Sequence, residues 1–456
     1  MANRRFVIAG SGSGVGKTTL TLGLMAAFQK RGLTVQGFKC GPDYIDPSFQ
    51  TALTGRPARN LDSWMFSEET LMAILARGQN GADLSIIEGV MGFYDGKDPL
   101  SNRGSTAEIS LLTSSPVVLV VNCASMARSA AAIVKGFQML DEKVDIRAVI
   151  ANKVGSEGHY KLVKAAVEQE CGVPVIGYLT KQSELTLPER HLGLVPAIER
   201  GDLDGFFNKL AEVVGEQIDL DMLYELSEAP AVAADETLFA VKQPIQVTIA
   251  VAKDEAFNFY YPENFELLEV YGAKLHYFSP LRGETIPQEA SALYIGGGFP
   301  EEFARELAEQ EAVKASIRAA AERGMPILAE CGGYMYLTDS LQTTDGETHE
   351  MVGLVRGSVR MTDKLAALGY REIEPSEKHP FFSPADQLRG HEFHYSVFET
   401  DETQAEAYHV SALGKTACTG YAGRNIAAGY THLHFASNPT AAEKFVAAAK
   451  EYGRDE

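Results

Sequence analysis

Cysteine is scarce: five are scattered through 456 residues, an odd number, so neither a disulfide framework nor a Cys-rich zinc site is expected. Basic residues are also in deficit. Forty-one Lys and Arg against 61 Asp and Glu give a formal charge of -20, which argues against a nucleic-acid partner, since that would need a basic face. The same charge repels acidic small substrates at long range, so any such substrate must be gripped by local Arg, Lys or backbone N–H groups. No uninterrupted apolar run is long enough to cross a membrane, and the amino terminus reads as a strand rather than a cleavable signal. The expected setting is therefore the cytoplasm, with no membrane partner. Internal repeats and low-complexity tracts are missing as well. What the chain does have is ample core material, 45% hydrophobic residues, in a length that suits roughly two to four domains.

Apolar strand candidates at 34–38, 84–87, 117–122, 146–151 and 174–179 alternate with amphipathic, helix-length stretches. That rhythm predicts an α/β fold with a doubly wound, mostly parallel sheet over residues 1–215. An acidic, alanine-rich stretch over 216–245 reads as a partly helical linker. A second alternating series, with strands near 246–252, 274–278, 292–295 and 326–329, predicts another α/β domain over 246–456.

Near the amino terminus, FVIAGSGSGVGKTTLTLGL sets a strand, a glycine-rich loop, Lys17, Thr18 and Thr19 ahead of a helix. Gly10, Gly12, Gly14 and Gly16 let backbone N–H groups turn toward an anion, Lys17 can reach terminal phosphates, and Thr18 can hold magnesium at the helix start. Position 11, where the strict P-loop pattern has its first glycine, is serine, so the loop is one residue longer. The apolar strand LSIIE ends on Glu88, where a magnesium-holding acid is expected in P-loop proteins, with Asp95 seven residues on. FKCGPDYIDPSF follows the second strand with Lys39, Asp43, Tyr44 and Asp46. Asp-Pro and Gly-Pro pairs are ordinary turn formers. Two acids at the sheet edge that carries Gly16 and Lys17 point instead to metal and phosphate work.

In the carboxyl-terminal half, PILAECGGYMYL runs an apolar strand into Cys331, two glycines and a helical pattern. A cysteine on such a turn exposes its sulfur, sits beside the Gly332 N–H, and meets a positive helix end that favours thiolate. Upstream, YIGGGFPEEF offers Gly296, Gly297 and Gly298 as a second source of N–H donors for an oxyanion. Downstream, GYTHLHF offers His432 and His434 as the base a cysteine nucleophile requires. His391 and His394, in GHEFHYS, could surround zinc together with that pair, but their spacing is not HExxH. Strand alternation puts Glu392 and His394 on one face, which favours structural hydrogen bonding.

The strings SGSGVGKTT, FKCGPDYIDP, EGVMGFYDG, GGGFPEEF, AECGGYMYL, GHEFHYS and YTHLHF resemble the cobyrinic acid a,c-diamide synthase family, in order and across nearly the full chain. The first half looks like a dethiobiotin-synthetase-type P-loop ATPase and the second like a class I glutamine amidotransferase. The resemblance implies ATP-dependent, glutamine-hydrolysing amidation of the a and c acetates of cobyrinic acid through an acyl phosphate, the c-acetate first. It places ATP phosphates on Gly14, Gly16, Lys17 and Thr18, magnesium near Thr18, Asp46 and Glu88, and adenine at Asn152, whose structural alternative is a turn cap. It makes Cys331 the nucleophile and His432 its base. Asp43, Tyr44 and Asp95 become candidates for positioning the substrate or ordering the acyl-phosphate site, with Lys39 neutralising developing charge. The chain departs from the usual His-x-Glu of the triad, carrying His432, Leu433 and His434, so either His434 substitutes or the pair acts as a dyad. Amidation of nickel-sirohydrochlorin or hydrogenobyrinic acid, or a P-loop switch with an inactive second domain, are the competing functions. A homodimer is compatible with the sequence, which does not give the oligomeric state. PERHLGLVPA also matches the family without an assigned role for Glu189, Arg190 or His191.

Overall fold

A computed structural model describes residues 3–180, 189–190, 193–233, 236–412 and 414–455. The chain divides into two compact units, Met1–Glu236 and Thr237–Glu456. In the first unit the strands β1 (Asn3–Gly10), β2 (Val35–Cys40), β3 (Arg59–Leu61), β4 (Leu84–Glu88), β5 (Val117–Asn122), β6 (Ile146–Val154) and β7 (Val175–Thr180) pair in the order β3-β2-β4-β1-β5-β6-β7. All of these pairings are parallel. A parallel sheet is covered on both faces, which is why Phe6–Ala9 and Val117–Val121 are continuous apolar runs and fully buried. The helices α1 (Lys17–Lys30) and α2 (Ile45–Thr54) follow β1 and β2, so both begin at the carboxyl edge of the sheet. Gly10, Cys40, Glu88 and Asn122 end their strands at that edge, where open α/β sheets bind ligands.

The stretch expected as a partly helical linker over 216–245 carries a helix and a short strand in its first half. Leu220–Leu226 is a helix that buries Leu220 and Leu223, and Glu228–Ala229 adds an antiparallel pair to Asn3 and Arg4. The buried Arg5 guanidinium donates to Thr113 O, Ser115 Oγ and Pro230 O, which fastens that return segment to the core.

The second unit has a six-stranded sheet in the order Ala273–Phe278, Val247–Ala252, Ala290–Ile295, Ile327–Glu330, Ile426–Gly429 and Tyr421–Ala422, parallel except for the last. Two further sheets, largely antiparallel, occupy most of the region between Thr338 and Thr419; the larger takes His432–Leu433 as its edge strand, with His391 opposite His432. Their residues mix buried, half-buried and exposed positions, as in Val355–Met361, so they lack the solid apolar runs that announce the parallel strands. No helix among the described residues is long and apolar enough to cross a membrane.

Candidate active sites

The loop between β1 and α1 folds as its glycines require. Gly14 and Gly16 have φ of 68° and 94°, and a Cβ on Gly16 would lie 2.4 Å from Asn152 Nδ2. Asn152 donates to Val15 O at 2.6 Å and accepts from the Lys153 N–H, so it pins the loop from β6. Lys153 Nζ donates to Gly14 O. Lys17 donates to Gly12 O and Met91 O across the mouth of the loop, and Thr19 follows, half-buried, on the first turn of α1. Burial, then the nearby Lys39 charge, lowers the affinity of Lys17 for its proton.

Three oxygen donors meet at Thr18. Its hydroxyl donates to Glu88 Oε1 at 2.7 Å and to Asp46 Oδ2 at 3.2 Å. Lys39 Nζ sits among them, 2.5 Å from Asp46, 2.9 Å from Glu88 and 3.8 Å from Asp43. Parallel register puts Lys39 opposite Glu88, and Gln50 on α2 donates to the other Glu88 oxygen. Burial opposes the Lys39 charge, but Asp46, Glu88 and Asp43 outweigh it and hold the ammonium well above its ordinary value. Burial, followed by Asp46, pushes Asp43 up to about 6. Burial raises Glu88 to about 7, with Asp46 adding repulsion against the pull of Lys39. Asp46 stays below its ordinary value because the Lys39 charge and hydrogen bond overcome burial. No group of three or more His, Cys, Asp or Glu among the described residues could hold a metal ion without other donors. One hydroxyl and two carboxylates suit a magnesium ion that keeps its remaining positions for phosphate and water.

Asp43 caps α2 by accepting from the Ile45 and Asp46 N–H groups, with Tyr44 beside it. Asn60 holds this turn through Gly41 O and Asp43 O. Asp95 Oδ2 accepts from the Gly92 N–H in the turn after β4, and its charge reaches Lys17. The strand ends thus bring Lys17, Thr18, Lys39, Asp43, Asp46, Glu88 and Asp95 to one edge.

In the second unit Cys331 has φ 47° and ψ -106°, the strained turn of a nucleophile elbow, and it starts the helix Gly332–Leu337. Its N–H donates to Gly429 O at 2.7 Å, which places it across from the strand that leads into His432. Glycine is demanded around it. A Cβ on Gly297 would lie 2.2 Å from His432 Cε1, and one on Gly332 would lie 3.1 Å from Gly298 N. The Gly297–Gly298 loop therefore packs against both the base and the elbow. The Gly296 N–H is committed to Tyr260 Oη, which leaves oxyanion donation to the other glycines.

The surroundings of Cys331 work against the thiolate that a helix end is expected to favour. Burial, then the Glu301 charge, pushes the thiol far above its ordinary value, and a six-residue helix offers little dipole to oppose this. Burial, followed by His391 and His394, lowers His432 to about 3.

Behind this pair lies a buried polar network that sequence reasoning missed. Glu330 Oε1 accepts from the Leu433 N–H at 3.2 Å and Oε2 from the Tyr294 hydroxyl at 3.1 Å. Asn264 Nδ2 donates to Leu433 O and its Oδ1 accepts from the Phe435 N–H, both at 2.8 Å. His434 Nε2 lies 3.7 Å from Glu263 Oε2, both side chains fully buried, and its ring lies 4.1 Å from that of Tyr261. His434 Nδ1 also accepts from the Ala436 N–H. Burial pushes Glu330 up to about 8 and His434 down to about 3.

His391 and His394 serve the surrounding sheet. His394 stacks on Tyr430 at 3.8 Å with Nδ1 against Ser396 O, and Glu392 bonds Arg371 and Thr431. Of Glu189, Arg190 and His191, only a short backbone pairing of Glu189 and Arg190 is described; His191 lies outside the described residues.

Two family models match the chain: the CobQ/CobB/MinD/ParA nucleotide binding domain over residues 6–195 and the CobB/CobQ-like glutamine amidotransferase domain over residues 248–440. The chain is 58% identical over 458 residues to a cobyrinate a,c-diamide synthase of Priestia megaterium, covering 100% of both. It is 44% identical over 454 residues to one of Caldanaerobacter subterraneus, covering 99% of both, and 42% identical over 457 residues to one of Dehalococcoides mccartyi, covering 98% of both.

Proposed function

The chain belongs to the cobyrinate a,c-diamide synthase family, and on that premise we propose that it amidates the a and c acetates of cobyrinic acid with ammonia taken from glutamine. It is a glutamine-dependent ligase with a nucleotide-binding domain. One observation supports the assignment of residues: the same chain carries the Lys17–Thr18–Lys39–Asp46–Glu88 cluster and a Gly297–Gly298 turn that approaches both His432 and the Cys331 elbow.

In the first unit, the Gly14–Thr18 loop and Lys17 hold the phosphates of ATP while an acetate attacks the terminal phosphorus. The bond to the β-phosphate breaks, giving acyl phosphate and ADP, and Lys17 and Lys39 neutralise the charge that develops on the transferred group and on the departing ADP. Thr18, Asp46 and Glu88 would hold magnesium, which supplies charge stabilisation to the phosphates. Asp43, Tyr44 and Asp95 border the position of the attacking carboxylate, and Asn152 keeps the loop in shape while flanking the nucleotide. Ammonia then displaces phosphate from the acyl phosphate. In the second unit, Cys331 Sγ attacks the glutamine amide carbon as His432 accepts the thiol proton and passes it to the leaving ammonia. N–H groups of Gly297, Gly298 and Gly332 stabilise the oxyanion, and water hydrolyses the thioester. With one P-loop and one elbow, the two acetates react in two rounds.

Cys331→Ser is expected to abolish glutamine-dependent amidation and to retain synthesis from ammonium salts. Lys17→Ala and Glu88→Gln are expected to abolish synthesis with either nitrogen donor. Equal loss of both activities in Cys331→Ser, or ammonia-dependent synthesis surviving Lys17→Ala, defeats the division of labour. A tetrapyrrole panel in which nickel-sirohydrochlorin is amidated and cobyrinic acid is not defeats the substrate assignment.

A further inference from the structure

The chemistry above leaves unused a carboxyl at the residue before the nucleophile. Glu330 is 3% exposed, and it touches all three segments that the glutaminase step needs. It is peptide-bonded to Cys331. Through Oε2 it receives the hydroxyl of Tyr294, two residues ahead of Gly296 on the strand that feeds the oxyanion loop. Through Oε1 it receives the N–H of Leu433, the residue between His432 and His434. Asn264 grips the same residue from the other side, taking Leu433 O and reaching Tyr294 Oη at 3.4 Å. Leu433, the residue that follows His432, thus has both its backbone N–H and its backbone C=O held by buried side chains.

An apolar residue at position 330 would strand the buried Leu433 N–H and Tyr294 hydroxyl without the acceptor each now has. A surface loop bearing the base would need no such device. The usual carboxylate two residues after the base is here His434, whose Nε2 lies 3.7 Å from Glu263 Oε2, so that position supplies no carboxylate to His432.

We propose that Glu330 is a positioning residue of the glutaminase step: it ties the backbone of His432 to the nucleophile strand and the oxyanion strand, with Asn264 as its second clamp. This rests on Cys331 and His432 being the glutaminase pair. A base displaced by a fraction of an ångström still admits glutamine but receives the thiol proton poorly, so the defect belongs in kcat and not in KM. Burial raises the Glu330 carboxyl to about 8; glutamine at this position keeps one oxygen to accept the Leu433 N–H, and its amide N–H donates to the Tyr294 oxygen in place of the bond that Glu330 receives from it.

The test uses the full chain and measures glutaminase kcat and KM, ammonia-dependent amidation and melting temperature. Glu330→Ala is expected to lower glutaminase kcat on the order of 100-fold with KM held within about twofold and ammonia-dependent synthesis within about twofold. Glu330→Gln is expected to retain kcat within about threefold of wild type. The proposal is overturned if Glu330→Ala keeps wild-type kcat, if Glu330→Gln falls as far as Glu330→Ala, or if ammonia-dependent synthesis falls in parallel. Should Glu330→Ala not accumulate folded, Tyr294→Phe carries the same test: kcat lowered roughly tenfold at constant KM supports positioning, and unchanged kcat overturns it. Glutamine hydrolysis that persists in Cys331→Ser would instead defeat the underlying glutaminase assignment.

Discussion

Lys39 sits where two carboxylates would otherwise face each other. Asp46 and Glu88 both lie within hydrogen-bond reach of its ammonium and of the Thr18 hydroxyl, and Glu88 is fully buried. Removing one partner from a buried ion cluster leaves uncompensated charge at a cost of roughly 3–5 kcal/mol. Lys39→Ala should therefore destabilise the first unit by about that amount in metal-free buffer. Millimolar magnesium should recover more of the loss in the variant than it adds to wild type, since the divalent ion replaces the missing positive charge among the same oxygens. Denaturant unfolding with EDTA and with magnesium measures both arms. A variant indifferent to magnesium removes Asp46 and Glu88 from the cation site. The same residue type illustrates what sequence can and cannot disclose. Glu88 is recognisable as an acid ending the apolar run LSIIE, and Glu330 ends PILAE in the same way. Both stand in recognisable motifs, but only Glu88 has a task that its motif announces, whereas the partners of Glu330 are distant in sequence: Tyr294 on the neighbouring parallel strand and Leu433 on the edge of an antiparallel sheet.

At the scale of elements, both active sites are strand–glycine–helix turns, and this is why they are legible. A P-loop and a nucleophile elbow are each encoded in about a dozen contiguous residues, so the short-range pattern contains the geometry. The antiparallel sheets of the second unit are encoded by distant pairings and weak alternation, and no short string announces that His432–Leu433 will dock on Gly390 and His391. The oxyanion turn shows how tightly the elements meet. A methyl on Gly297 would collide with His432 Cε1 at 2.2 Å, and the imidazole, 2% exposed, has little room to retreat. Gly297→Ala is expected to lower glutaminase kcat on the order of 100-fold by displacing the base. Ammonia-dependent synthesis should continue. A variant with unimpaired glutaminase turnover shows that the ring swings aside and that the turn does not fix the base.

For the whole molecule, the two units respond to acid with opposite sign. The second buries four imidazoles in surroundings that lower them: His379, His432 and His434 to about 3 and His391 to about 4, burial being the first cause in each. Unfolded, each takes up a proton near pH 6.5, so as pH falls below that value the unfolded chain binds more protons than the folded one and stability declines. For a folded value near 3 the penalty at pH 5 is about 2 kcal/mol per ring. Glu330, raised to about 8, and Asp254, also raised by burial, oppose this because they bind their protons better when folded, but they are two groups against five, since burial lowers His394 as well. In the first unit Asp43 and Glu88 are raised to about 6 and about 7, which favours the folded state as pH drops through those values. Acidification from pH 7 to pH 5 should therefore loosen the second unit before the first, and glutaminase activity should be lost irreversibly at a pH where the P-loop unit still protects its amides. Hydrogen exchange of the intact chain, read by peptide mass spectrometry and corrected for the intrinsic pH dependence of exchange, gives protection for Thr237–Glu456 and Met1–Glu236 separately. Greater loss of protection in the first unit, or equal loss in both, contradicts the buried neutral imidazoles on which the argument depends.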